Sequence, residues 1–171
     1  MHTRGGLFVV AVGTAMLATA TMTTSVADSP PVQSAMPNQA FMLGTWDCTV
    51  RLAAMGGHPA STGHSTLTIT PGPNGTQRTH VSSQGYAADN YEGYDAKSGT
   101  HWLNGADSLG AASFETSTDG IVFTGTTWEN GAAMTTRDTR TRLGMAKIRD
   151  VSEVRANGKW SHLLDAVCYK P

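Results

Sequence analysis

Cysteine is nearly absent from this 171-residue sequence, charge is sparse, and no long apolar run follows the first 27 residues. Two cysteines are too few for a disulfide scaffold or a four-thiolate zinc site. Charged residues make up 15% of the chain and the formal net charge is −1. That removes the electrostatic footprint of a nucleic-acid binder, so no nucleic-acid partner is expected. There is no Gly-x-Ser-x-Gly elbow, no phosphate-binding glycine loop and no His-Glu-x-x-His, and no catalytic residue is assigned. Nor does any stretch after residue 45 sustain helical periodicity for three turns. What is present suffices for one domain: 39% of the residues are hydrophobic, enough for a core and too many for a disordered chain.

The N-terminus reads as a targeting segment. Met1-His2-Thr3-Arg4 is a short basic start, Leu7 to Ala20 is apolar, and Ser25-Val26-Ala27 supplies small residues for cleavage. The apolar stretch falls short of the ~20 residues that a membrane span needs. The expected organisation is a signal peptide over 1–27, a flexible proline-rich leader over 28–40 and a single domain over 41–171. The mature protein is then exported to the periplasm or the extracellular space, with no membrane span after cleavage near Ala27.

The domain is punctuated by turn signals at Asn74-Gly75, Gly85, Ser98-Gly99, Gly110, Asp119-Gly120, Asn130-Gly131, Gly144 and Asn157-Gly158. Asn-Gly and Asp-Gly suit hairpin turns whose central residues both need positive φ. The intervening segments are rich in Thr, Val, Ile, Tyr and Trp, and many alternate. They predict strands over 46–53, 62–70, 76–84, 86–95, 100–106, 111–117, 121–128, 132–142, 145–155 and 159–169. The fold class is all-β, an antiparallel up-and-down meander of nine or ten strands. Closing such a meander into a barrel removes its two exposed edges. Cys48 lies in the first strand and Cys168 in the last, which closure makes neighbours. Export then predicts a Cys48–Cys168 disulfide, the alternative being two buried thiols.

Phe41-Met42-Leu43-Gly44-Thr45-Trp46 resembles the Gly-x-Trp opening of lipocalins and the wider calycin group. With Gly44-Thr45-Trp46-Asp47-Cys48 at the front and Asp165-Ala166-Val167-Cys168-Tyr169-Lys170 at the end, the chain resembles exported bacterial lipocalin-like proteins of the domain of unknown function 1579 group. The resemblance implies a calycin-type barrel whose Trp closes the bottom of a cavity. The sequence departs from lipocalins in having no recognisable arginine over that Trp. It also lacks the extended glycine-rich signature of haem-binding nitrobindin-like barrels, and no cofactor is expected.

Parity suggests what lines the cavity. With Trp46 inward, Cys48, Val50 and Leu52 follow, and Cys168 carries Ala166, Leu164, His162 and Trp160 with it. One face of the fourth strand presents Tyr86, Ala88, Asn90, Glu92 and Tyr94, either a ligand surface or a solvated outer face. The candidate ligand-binding residues are Trp46, Tyr86, Asn90, Tyr94, His162 and Leu164. His162 reads more simply as a satisfied core histidine, or as an exposed one if a bulge shifts the register. Trp102 and Trp128 read as core or rim. His58, His64 and His80 match no metal-ligand spacing, and no metal is assigned. Arg137, Arg140, Arg142, Lys147 and Arg149, interleaved with Asp138 and Asp150, read as ion pairs on an outer face. The function expected is binding of a small apolar or amphipathic molecule in the barrel. The alternatives are a small isomerase- or cyclase-like enzyme using His162 or Glu92, and a structural barrel with a filled core.

Overall fold

The structure is a computed structural model that describes residues 37–54 and 59–171. It contains ten antiparallel strands: β1 (Gly44–Leu52), β2 (Ser61–Pro71), β3 (Gln77–Ser83), β4 (Tyr86–Asp95), β5 (Thr100–Asp107), β6 (Ala112–Ser117), β7 (Val122–Glu129), β8 (Ala132–Gly144), β9 (Lys147–Ala156) and β10 (Lys159–Tyr169). Each pairs with its sequence neighbour, and β10 returns to β1, so the sheet is a closed up-and-down barrel. Two of the two-residue hairpins are at Asn130-Gly131 and Asn157-Gly158, with φ of 49° and 79° and of 53° and 77°. These positive pairs match the right-handed twist of the strands they join.

Closure is covalent as well as hydrogen-bonded. Cys48 and Cys168 are directly opposite in the β1–β10 ladder and form a disulfide across 120 residues of sequence. Their side chains face inward and are buried.

One end of the barrel is plugged. Residues Pro37–Met42 form a 3₁₀ segment, and Met42, Trp46, Ile69 and Ile148 pack together there with exposures of 2% or less. Gly44, at φ 115°, turns the chain from this plug into β1 through a conformation that favours glycine. Trp46 Nε1 donates to the Met42 carbonyl at 2.6 Å, which satisfies the indole in an otherwise apolar site. The cation over that ring comes from the far end of the chain. Lys170 Nζ stands 4.8 Å from the Trp46 ring centroid and donates to the Phe41 carbonyl at 2.7 Å.

The segment that packs with the barrel thus includes residues before Phe41. Residues 37–40, assigned to the leader by their proline and polar content, are held because Gln39 is buried. Gln39 Nε2 donates to Glu92 at 2.6 Å and to the Gly120 carbonyl at 3.1 Å.

Candidate functional site

Above the plug the barrel encloses a cavity of about 300 Å³, at the lower end of the ~300–1,000 Å³ usual for small-molecule sites. The interior is therefore not filled by side chains. Its wall is divided. Val50, Leu67, Val81, Ala88, Leu164 and Ala166 make an apolar side on β1–β4 and β10, with the disulfide among them. Glu115 on β6, Asp138 and Arg140 on β8 and Asp150 on β9 make a polar side. The division follows from alternation along each strand: the same parity that buries Phe123 and Ile148 directs Glu115 and Asp150 inward.

With Asp107 on β5 and Glu92 beneath Arg140, five carboxyl groups thus face the interior against one guanidinium among the described residues. Arg140 Nη1 donates to Glu92 at 2.9 Å and to Gln39 Oε1 at 3.3 Å, and Nε donates to Asp150 at 3.3 Å. Burial works against the cation, but the Asp150 and Glu92 carboxylates outweigh it and raise the Arg140 pKa. This network bolts the 3₁₀ plug to the barrel floor. It corrects the sequence expectation for this residue, since Arg140 points inward. Arg137 and Arg149 do form outer pairs, with Glu153 at 2.6 Å and Asp165 at 2.8 Å.

Glu115 has no such cation. Its side chain is almost wholly enclosed, at 1% exposure. Oε1 accepts from Thr136 Oγ1 at 2.6 Å, while Oε2 receives no donor among the described residues. The neighbouring group is Asp138. Burial first, and the Asp138 charge second, push the Glu115 pKa up to about 7. Burial also raises that of Asp138, against hydrogen bonds from Ser152 and Glu115. Below about pH 7 Glu115 keeps its proton, shared with the Asp138 carboxyl in contact with it, and that proton supplies the bond Oε2 otherwise lacks.

The linkage has a definite sign. A carboxyl whose folded pKa is raised binds its proton more tightly in the native state. Stability is fully present below the unfolded value of about 4.5 and is lost as pH rises to about 7, a loss of up to about 3 kcal/mol. Glu115→Gln keeps the Thr136 acceptor and places an N–H where the proton sits. It should raise Tm at pH 8 and change it little at pH 5, read by thermal denaturation. Equal shifts at both pH values would contradict the shared proton.

The candidate residues fare differently. Tyr86, Asn90 and Leu164 line the cavity. Burial, then the Asp107 charge, raises the pKa of Tyr86. Asn90 lies across β5 where Gly105 leaves room, since a Cβ there would fall 1.8 Å from Asn90 Oδ1. Trp46 lies below the cavity, in the plug. Tyr94 is exposed beyond the plugged end, its ring 4.7 Å from that of His101. His162 is exposed, contrary to its parity, because the β9–β10 register shifts between His162 and Leu164. The extra residue, Leu163, joins the cavity lining, and Trp160 turns outward against Arg137 and Arg155. Glu92 is buried but engaged with Arg140 and Gln39, below the cavity lining. Trp102 packs over Gly93, where a Cβ would fall 2.3 Å from the ring, and Trp128 is exposed.

Sequence reasoning missed Glu115 altogether. Alternation in Ser113-Phe114-Glu115-Thr116-Ser117 would turn the apolar Phe114 inward and Glu115 outward, the reverse of their observed burial. Of the three histidines, His58 lies outside the described residues, His64 is exposed, and His80 bonds to Asp89 at 3.0 Å beside Arg78.

The sequence matches no family model and no curated protein. Among solved structures, the chain is similar to the crystal structure of Rv2717c from M. tuberculosis, with a TM-score of 0.59 and 13% identity. The alignment covers 82% of this chain and 99% of that one. At this identity the likeness is one of fold.

Proposed function

We propose that this protein is an exported, lipocalin-like barrel that binds a small amphipathic molecule in its cavity. The observation that carries the reading is the divided wall: a space of about 300 Å³, apolar on one side and hydrogen-bonding on the other. Such a wall matches a ligand with an apolar body and a polar head. The disulfide fits an oxidising compartment. Among the described residues no helix is long and apolar enough to cross a membrane. The signal-like start over residues 1–27 supports export, although it lies outside the described residues. The two residues named for acid–base catalysis do not favour the enzyme alternative. His162 stands on the outside, and Glu92 is engaged with Arg140 and Gln39.

The test is native mass spectrometry of the protein purified from its own host, compared with the denatured mass before and after reduction. The expected result is an adduct lost on denaturation, on a chain that starts near Asp28 and is two hydrogens lighter than its reduced form. A bare native mass under conditions that preserve known barrel–ligand complexes would count against the binding reading. An uncleaved N-terminus would count against export.

A further inference from the structure

The acidic side of the cavity has a chemical preference of its own, and this inference rests on the binding reading above. Glu115 is about 99% buried, lines the cavity and leaves Oε2 without a donor. The titratable groups that share the cavity wall with it are Asp138 and Arg140 from β8, Asp150 from β9, Tyr86 from β4 and Asp107 from β5, with Glu92 beneath Arg140. The one cation among them is already committed to Glu92 and Asp150. Even with one proton shared between Glu115 and Asp138, carboxylate charge exceeds guanidinium charge in the interior. A buried charge without a counter-ion is costly. An anionic or acid-headed ligand would add to that cost, whereas an ammonium head would relieve it.

We infer that the barrel's ligand is a small protonated amine, with its ammonium at Glu115 and Asp138 and its apolar body against the wall formed by Val50, Leu67, Val81, Ala88 and Leu164. The orphan oxygen distinguishes this place from a mere collection of acids. An ammonium brings N–H donors, one of which takes the position of the shared proton, and the others reach Asp138 and the water-accessible part of the cavity. Binding therefore displaces a proton. The ligand's amine stays charged to about pH 9–10, while the carboxyl pair gives up its proton near neutrality. Affinity should rise as pH increases from 6 to 8, and the bound complex should release protons.

The experiment compares n-hexylammonium with 1-hexanol, which has the same chain and a neutral head, by isothermal titration calorimetry on the disulfide-bonded protein. Each is titrated at pH 6 and pH 8, in two buffers of different ionisation heat. The expected result is a preference for hexylammonium at pH 8 of about ten- to hundred-fold, the range for a hydrogen bond to a charged group. The preference should be smaller at pH 6 and accompanied there by proton release. Glu115→Gln and Asp138→Asn should each remove most of it while leaving 1-hexanol binding in place, with folding checked by circular dichroism. If the two probes bind equally, the amine assignment falls and the binding reading survives. If 1-hexanol alone binds, the same holds. If neither binds, both fall. Should either variant fail to fold, the pH dependence and proton release of the unaltered protein still decide the matter: no release at pH 6 overturns the proposal.

Discussion

Replacing Arg140 by methionine should destabilise the protein by about 3–5 kcal/mol at pH 7, as expected when a buried ion pair loses one partner. Methionine fills much the same volume, so little of the loss comes from packing. It comes from leaving Glu92, whose side chain is 4% exposed, and Asp150, at 28%, facing each other without a cation. Gln39 also loses a donor at its Oε1, which loosens the 3₁₀ plug. Urea unfolding at pH 7 reads the loss. A loss below about 1 kcal/mol, the range of an exposed pair, would show that the network is solvated and not part of the barrel floor.

Loss of the disulfide should have an effect of similar size. The Cys48→Ala/Cys168→Ala variant should lose about 2–5 kcal/mol, equivalent to a fall in Tm of roughly 6–20 °C for a domain of this size. The bond closes a loop of 120 residues, so its absence frees nearly the whole chain in the unfolded state. The native ladder should survive, since β1 and β10 pair from Asp47–Tyr169 to Leu52–Leu164. The variant's far-ultraviolet circular dichroism should thus match the parent's at 20 °C, with the difference appearing only on heating. A Tm within about 2 °C of the parent would mean that the unfolded chain is already compact across this span.

The strands were legible because their ends were written in glycine. All ten predicted segments correspond to observed strands, with bounds differing by no more than two residues, since Asn-Gly and lone glycines mark positions where few other residues fit. Alternation then set Cys48, Cys168 and Leu164 inward, and grouped Tyr86 and Asn90 on one face of β4 without deciding which way that face points. It failed at His162 for a local reason: one extra residue in β10 reverses the parity of everything beyond it, and nothing in Trp160-Ser161-His162-Leu163-Leu164 announces it. The charged residues of β8 and β9 failed for another. Runs such as Arg137-Asp138-Thr139-Arg140 and Arg149-Asp150 look alike whether they face water or the interior, and only the pairing of Arg140 with Glu92, 48 positions away, separates the cases. Residues 37–40 looked like leader because Gln39 is polar, and its burial depends on partners at Glu92 and Gly120 that local composition does not reveal.

Lys170 reaching back to Phe41 has a geometrical corollary. The domain enters and leaves its fold at the same place, on the stoppered face of the cylinder and away from the rim where Tyr86 and Ala111 stand. Whatever is joined to either terminus departs from the end opposite that rim. A label, a surface tether or a second domain can be attached there while the aperture stays clear. A rearranged chain with its old ends linked and new ones cut at Asn130-Gly131 would keep every strand beside its present neighbours.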